Sequence, residues 1–165
     1  MAITTDDIKA LRGETGVSVM QIKKALEEAG GDRAKALVLL QKKGAMIAEK
    51  KADRTLGAGA VSAYIHSTKM IGSMVMLSCE TDFVAKNEEF LKLAYAVAMQ
   101  VAATNPDYLS RADIPAGALA EADRILLEQS FIKDEGKTVK DLIDAAVQKF
   151  GERIEIGRFI RFSTR

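Results

Sequence analysis

The spacing of apolar residues changes twice along this chain, and that change limits its fold more than any other feature. Residues 60–66 (AVSAYIH) and 71–79 (IGSMVMLSC) alternate with period two, while the stretches before and after them repeat every three to four residues. Period two sends every second side chain to one face of a strand, and a period near 3.6 lines up a stripe on a helix. The chain is therefore read as α+β: helices on both sides of a short antiparallel hairpin, with helix dominant. Val61, Ala63 and Ile65 share one hairpin face; Ile71, Ser73, Val75, Leu77 and Cys79 share another. The joint between the strands, STKM, offers neither Gly nor Asn for a positive φ.

Ahead of the hairpin, residues 3–43 predict three short helices. Thr4 or Thr5 can cap the first, with Asp6 and Asp7 in its first turn and Ile8 and Leu11 as its stripe. Gly13 and Gly16 bracket a break. Ser18 to Gln21 forms a capping-box pattern ahead of a stripe of Val19, Ile22, Ala25 and Leu26. Asp32 caps the third helix, which is expected to end at Gly44. Residues 45–56 read as a further helix or a helical linker. Three helices of about ten residues enclose very little core, so such a unit reads as a binding module. The expected division is 1–54 for the three-helix module with its linker and 55–165 for the α+β core and dimerisation domain.

Behind the hairpin, residues 84–104 return to helical spacing with Phe90, Leu93, Ala94, Val97 and Val101 on one stripe, closed by Pro106. SRADIPAG is a loop, and residues 116–130 look helical. Residues 137–151 form an amphipathic helix ended by Gly151. The last strand, RIEIGRFIRFS, is expected to send Ile154, Ile156, Ile160 and Phe162 to one side.

Composition narrows the function. Hydrophobic residues are 48% and charged residues 28%, and the formal net charge is +1. No global field draws this chain to nucleic acid or to a membrane surface. Trp is absent, which argues against a base-stacking surface. No apolar run approaches the ~20 residues of a membrane span. The N-terminal residues show neither a signal nor a transit pattern, and a single cysteine suits a reducing compartment. The expectation is a cytoplasmic protein.

Catalytic chemistry finds little material. His66 is the only histidine, and Cys79 the only cysteine. One histidine cannot build a histidine-rich metal site. Cys79 lies among apolar neighbours, where an inert buried thiol is the commoner outcome. No phosphate-loop or dinucleotide fingerprint occurs, and GAG at 57–59 is too short for one. The chain reads as a non-enzyme, with no cofactor and no metal.

Two stretches together carry a resemblance. LRGETGVSVMQIKKAL (11–26) and CETDFVAKN (79–87) resemble, in order, the two signatures of the translation elongation factor Ts family. YIHSTKMIG (64–72), NPDYLSRADIP (105–115) and RFIRF (158–162) follow the family's order as well. The chain carries one copy of the core pattern where long-form members have two, and it is short of helical sequence between Leu127 and Phe131.

The resemblance implies an N-terminal module of the ubiquitin-associated type that grips elongation factor Tu. It also implies a working pair, Asp82 and Phe83, flanked by Thr81 and Val84. In the family the ring inserts near the partner's magnesium and phosphate site, the partner's loops shift, and GDP leaves. It further implies contacts from His66, Lys23 and Lys24, and a homodimer of short-form chains across the sheet face and the edge near residues 60–79. Position alone favours plainer roles: Asp82 as a helix cap, Phe83 as core, His66 as a solvated turn residue, and both lysines as a solvated face. The signature reverses the reading for Asp82 and Phe83. The alternative function is an adaptor whose three-helix module binds a peptide or a ubiquitin-like surface.

Overall fold

Side-chain caps set the ends of the first helices. The computed structural model describes residues 3–165, so the first two residues of the expected module lie outside the described residues. Thr4 caps α1 (Thr5–Thr15): its Oγ1 accepts the Asp7 N–H at 3.1 Å, and the Asp7 carboxylate accepts the Thr4 N–H in return. The helix runs through Gly13 and stops at Gly16, which takes the left-handed conformation at φ 66°. The expected break is therefore a single C-cap at Gly16. Ser18 caps α2 (Val19–Glu28) by accepting the Gln21 N–H. The Gln21 side chain instead accepts from Gln148 Nε2 at 3.4 Å.

Asp32 caps α3, Arg33–Lys50, which does not end at Gly44 as the sequence predicts. Gly44 is buried inside the helix. A Cβ there would lie 3.3 Å from the Asp144 carbonyl oxygen and 3.1 Å from Gln148 Oε1. Its missing side chain serves close helix packing, and one helix replaces the expected helix plus linker.

The chain divides into two compact units. The first holds the residues up to Asp53 together with Asp144–Glu152. Its core is Leu11, Val17, Ile22, Ala25, Leu26, Ala36 and Leu40, with Ile3, Ile8, Leu37 and Leu39 packed around them. These are the stripes of α1, α2 and α3, so burial of three amphipathic faces against one another holds the unit.

The second unit holds Arg54–Ile143 and Arg153–Arg165. Strands β1 (Ala58–Ile65), β2 (Ile71–Cys79) and β5 (Ile154–Ser163) form one antiparallel sheet with β2 in the centre. The β1–β2 turn closes with His66 N–H donating to the Ile71 carbonyl, and Lys69 supplies the positive φ (61°). Lysine fills the place where the sequence lacks glycine. Gly59 pairs with Ser78 in the register, and an added Cβ would lie 2.5 Å from the Leu77 carbonyl oxygen. The GAG stretch thus serves strand packing.

One turn of helix, α4 (Asp82–Ala85), follows β2, and α5 (Glu88–Thr104) then covers one face of the sheet. Val75, Leu77, Cys79, Ile154 and Ile156 on the sheet and Phe90, Ala94, Val97, Ala98 and Val101 on the helix are buried. Ser73 Oγ donates to the Ala98 carbonyl at 2.5 Å, and Arg161 Nε to the Ala102 carbonyl at 2.9 Å. Asn105, at φ 49°, ends α5 one residue before Pro106.

Residues 116–130 are not the helix their composition predicts. They form loop with short 3-10 turns at Ala122–Arg124 and Leu126–Glu128. Gln100 of α5 holds this stretch: its Nε2 donates to Gln129 Oε1 and to the Ser130 carbonyl, and its Oε1 accepts the Ile132 N–H. A small hairpin, β3 (Ser130–Phe131) with β4 (Asp134–Thr138), leads into α6 (Val139–Phe150). The expected final helix stands, with Gly151 at φ 70° just beyond it.

The last strand departs from its expected pattern. Leu77 pairs with Ile156 and Met76 with Arg158, so Gly157 is an extra residue at a bulge. The bulge reverses the side-chain alternation. Ile154 and Ile156 face α5 and are buried, while Ile160 and Phe162 turn to the other face and are exposed.

Candidate functional site

Phe83 sits on a corner fixed from both sides. Thr81 caps α4, with its Oγ1 facing the Val84 N–H at 3.5 Å and its carbonyl accepting the Ala85 N–H at 3.1 Å. That carbonyl also receives the buried Cys79 thiol at 3.3 Å. Asn87 then caps α5 by accepting the Glu89 N–H at 2.9 Å, while its own N–H donates to the Val84 carbonyl. Position alone predicts Asp82 as the cap, but the cap is Thr81; Asp82 is the first helical residue and is exposed. Glu88, beyond the corner, has its pKa lowered by a hydrogen bond and ion pair with Lys92 at 2.8 Å.

Packing divides α4 sharply. Val84 and Ala85 are buried against β1 and β2. Phe83 is 83% exposed. Reading Phe83 as core from its type alone fails on that number. A phenylalanine left in water forgoes about 1.5–3 kcal/mol of burial, and this one stands on backbone capped at both sides by Thr81 and Asn87.

His66 is half-buried at the β1–β2 turn. Its Nδ1 lies 2.9 Å from Thr68 Oγ1 and 3.3 Å from the Thr68 backbone nitrogen. His66 and Phe83 are not brought together. They lie beyond opposite ends of β2, whose length is roughly 26 Å at about 3.3 Å per residue. Thr81, Asp82, Phe83 and Val84 form one cluster; His66 belongs to another part of the same unit.

Lys23 and Lys24 lie in the first unit, both exposed on α2, with Lys23 within 3.9 Å of Glu27. The sequence reading placed Val19 in the stripe and passed over Met20. Val19 is 43% exposed and Met20 68% exposed. Met20 was legible as lying off the 3.6-residue stripe, which marks a methionine held out of the core.

A second surface is the sheet face that the resemblance implied as shared near residues 60–79, and the bulge adds Ile160 and Phe162 to it. Across the sheet register, Val61 neighbours Met76, Ala63 neighbours Met74, and Met74 neighbours Ile160. Val61, Ile65, Met74, Met76, Ile160 and Phe162 are all exposed on the face opposite α5. The signal was Gly157 in the middle of a strand, a position that often marks a bulge.

Three helices ahead of a helix-backed antiparallel sheet, with a capped corner that leaves one aromatic ring exposed, define the class: a small two-unit α+β protein. The family model described as Elongation factor TS matches residues 18–133, from the N-cap of α2 to the turn after β3. The elongation factor Ts of Thermodesulfovibrio yellowstonii is 44% identical over 192 positions, covering 98% of this chain and 96% of that protein. Those of Thermotoga petrophila and Moorella thermoacetica are 42% and 41% identical over 191 positions, with 96% and 94% of those proteins covered. The chain belongs to the elongation factor Ts family and is by that membership a translation elongation factor. The alignments are longer than the 165 residues of this chain, so these relatives carry internal residues that it lacks.

Proposed function

We propose that this protein is the guanine nucleotide exchange factor of elongation factor Tu: it binds that GTPase and promotes release of GDP. The observation that carries the reading is Phe83, solvent-held on a corner whose neighbours Val84 and Ala85 are buried. A ring on rigid backbone loses little entropy on entering a partner, and large aromatics dominate many interfaces. Phe83 enters beside the nucleotide site, with Asp82 as its polar neighbour and Thr81 and Val84 as its frame. Lys23 and Lys24, beside the exposed Val19 and Met20, give the three-helix module of residues 1–54 a mixed charged and apolar grip on the same partner.

The chemistry needs no catalytic group and no cofactor of its own. A factor that binds its partner more weakly when GDP is present must weaken GDP by the same factor. A coupling of about 4 kcal/mol is roughly a thousandfold. Displacing a few phosphate and metal contacts is enough for that scale. Exchange has no direction of its own; excess GTP supplies it.

The protein acts as a homodimer, with the exposed apolar face of β1, β2 and β5 as the shared surface. Exposed apolar patches of this kind mark interaction sites, and a two-fold axis joins a patch to its own copy. Two sheets packed face to face in antiparallel sense bring the His66 turn of one chain toward the Phe83 corner of the other, which answers their separation within one chain. The test is release of a fluorescent GDP analogue from elongation factor Tu. Acceleration by this protein is expected; a stable complex with no acceleration would overturn the reading.

A further inference from the structure

The three strands of the main sheet end together on the side of the Phe83 corner, and one carboxylate ties those ends. Ala58 pairs with Cys79, and Cys79 with Ile154. Just beyond that row stand Arg54, Glu80 and Arg153. Glu80 Oε1 accepts the Arg153 backbone N–H at 2.6 Å, and Glu80 Oε2 accepts from Arg54 Nη1 at 3.2 Å. Arg153 Nη1 closes the ring by donating to the Arg54 carbonyl at 2.5 Å, and its Nε holds Glu155 at 2.8 Å. The Glu80 side chain is only 18% exposed, whereas that of Arg54 is 54% exposed. Gly57 allows the chain ahead of β1 to pass under the Glu80 carbonyl, where a Cβ would lie 3.3 Å away.

We infer that Glu80 is a positioning residue for Phe83, acting by locking the exit of β2 to the entries of β1 and β5. The inference rests on the exchange reading for its functional consequence, and on geometry alone for its structural one. Phe83 follows Glu80 by three residues, so any swing of the β2 exit is carried to the ring. Hydrogen bonds to a carboxylate are strong, and here their donors come from two other segments, those of Arg54 and Arg153. The caps at Thr81 and Asn87 fix the shape of the corner; Glu80 fixes its direction relative to the sheet. Val84 and Ala85 hold α4 down but do not set where β2 leaves the sheet.

The chain has no tryptophan, so Phe83→Trp supplies a single fluorescent reporter at the corner of the full-length protein. Time-resolved anisotropy of that indole is expected to gain a larger fast component in Glu80→Ala. Glu80→Gln keeps an acceptor for the Arg153 N–H and is expected to fall between Glu80→Ala and the parent, a graded rescue. In the Phe83 protein, Glu80→Ala should slow GDP release from saturated elongation factor Tu about fivefold. It should slow release no further when combined with Phe83→Ala. Should Glu80→Ala fail to fold, Glu80→Gln carries both measurements, with a smaller shift in the same direction. Unchanged anisotropy in the folded variants, or a slowing that adds fully to that of Phe83→Ala, overturns the inference. If the parent chain does not accelerate GDP release at all, the exchange reading fails while the anisotropy still decides the positioning.

Discussion

Phe83 and Val84 are adjacent in the chain and opposite in environment: Val84 is 3% exposed and Phe83 83%. One residue holds the corner to the sheet; the other is left to solvent. Stability and contact are therefore separable at this turn by single substitutions. Val84→Ala is predicted to cost about 2 kcal/mol in urea unfolding, from lost burial plus a small cavity. Phe83→Ala should stay within about 0.5 kcal/mol of the parent, as exposed sites do. Equal losses at the two positions would contradict the division.

Gly59 predicts a backbone effect. An added Cβ would lie 2.5 Å from the Leu77 carbonyl oxygen, which is main chain and cannot swing aside. Gly59→Ala must push β1 away from β2. A loss of roughly 1–3 kcal/mol is expected from such overpacking. Thermal unfolding with parental stability would show that the strands can separate freely there.

Much of this fold was legible because capping and period are local. Thr4, Ser18 and Asp32 mark helix starts in the structure, Pro106 follows the end of α5, and the hairpin lies where alternation begins and stops. What was not legible depends on distant neighbours. Gly44 reads as a helix stop, yet Asp144 and Gln148, a hundred residues on, make it a packing position. Residues 116–130 have helical composition, but Gln100 binds the Ser130 carbonyl at the end of the stretch and the Ile132 N–H just beyond it. The corner was visible in the residues around Asp82 and Phe83, though the direction of the ring was not: burial of Val84 decides it. Ile160 and Phe162 were expected on one side with Ile154 and Ile156, but one bulge residue, Gly157, flips everything after it.

That flipped face makes the next prediction. Val61 and Phe162 are 64% and 65% exposed on the uncovered side of the sheet. Replacing both with glutamate should leave each subunit folded and convert a dimer to a monomer, since like charges would meet across a two-fold axis. Sedimentation equilibrium checks the mass. A parent that is monomeric at tens of micromolar, or a double variant that stays dimeric, would count against the sheet face as the shared surface.

Acid should loosen the three-helix unit through its caps. The Asp32 carboxylate is held below its ordinary value of 3.8, first by the hydrogen bond from the Lys35 N–H and then by the Lys35 charge. Asp7 is held down by its hydrogen bonds with Thr4. A lowered folded-state pKa gives stability that is present above the unfolded value and is lost as pH falls through the folded value. Asp32→Asn keeps a good cap but cannot titrate. Between about pH 5 and pH 2, helix content of this variant should fall less steeply than that of the parent. Identical curves would remove Asp32 from the acid response.

The central claim is that the Phe83 ring opens a nucleotide site in elongation factor Tu, and one comparison tests it most directly. GDP release from that partner is timed at saturating concentrations of the parent and of Phe83→Ala. The account predicts release at least tenfold slower with the variant, a loss of ~1.4 kcal/mol or more of transition-state stabilisation, while the complex still forms. Release at the parental rate from a saturated complex would contradict it.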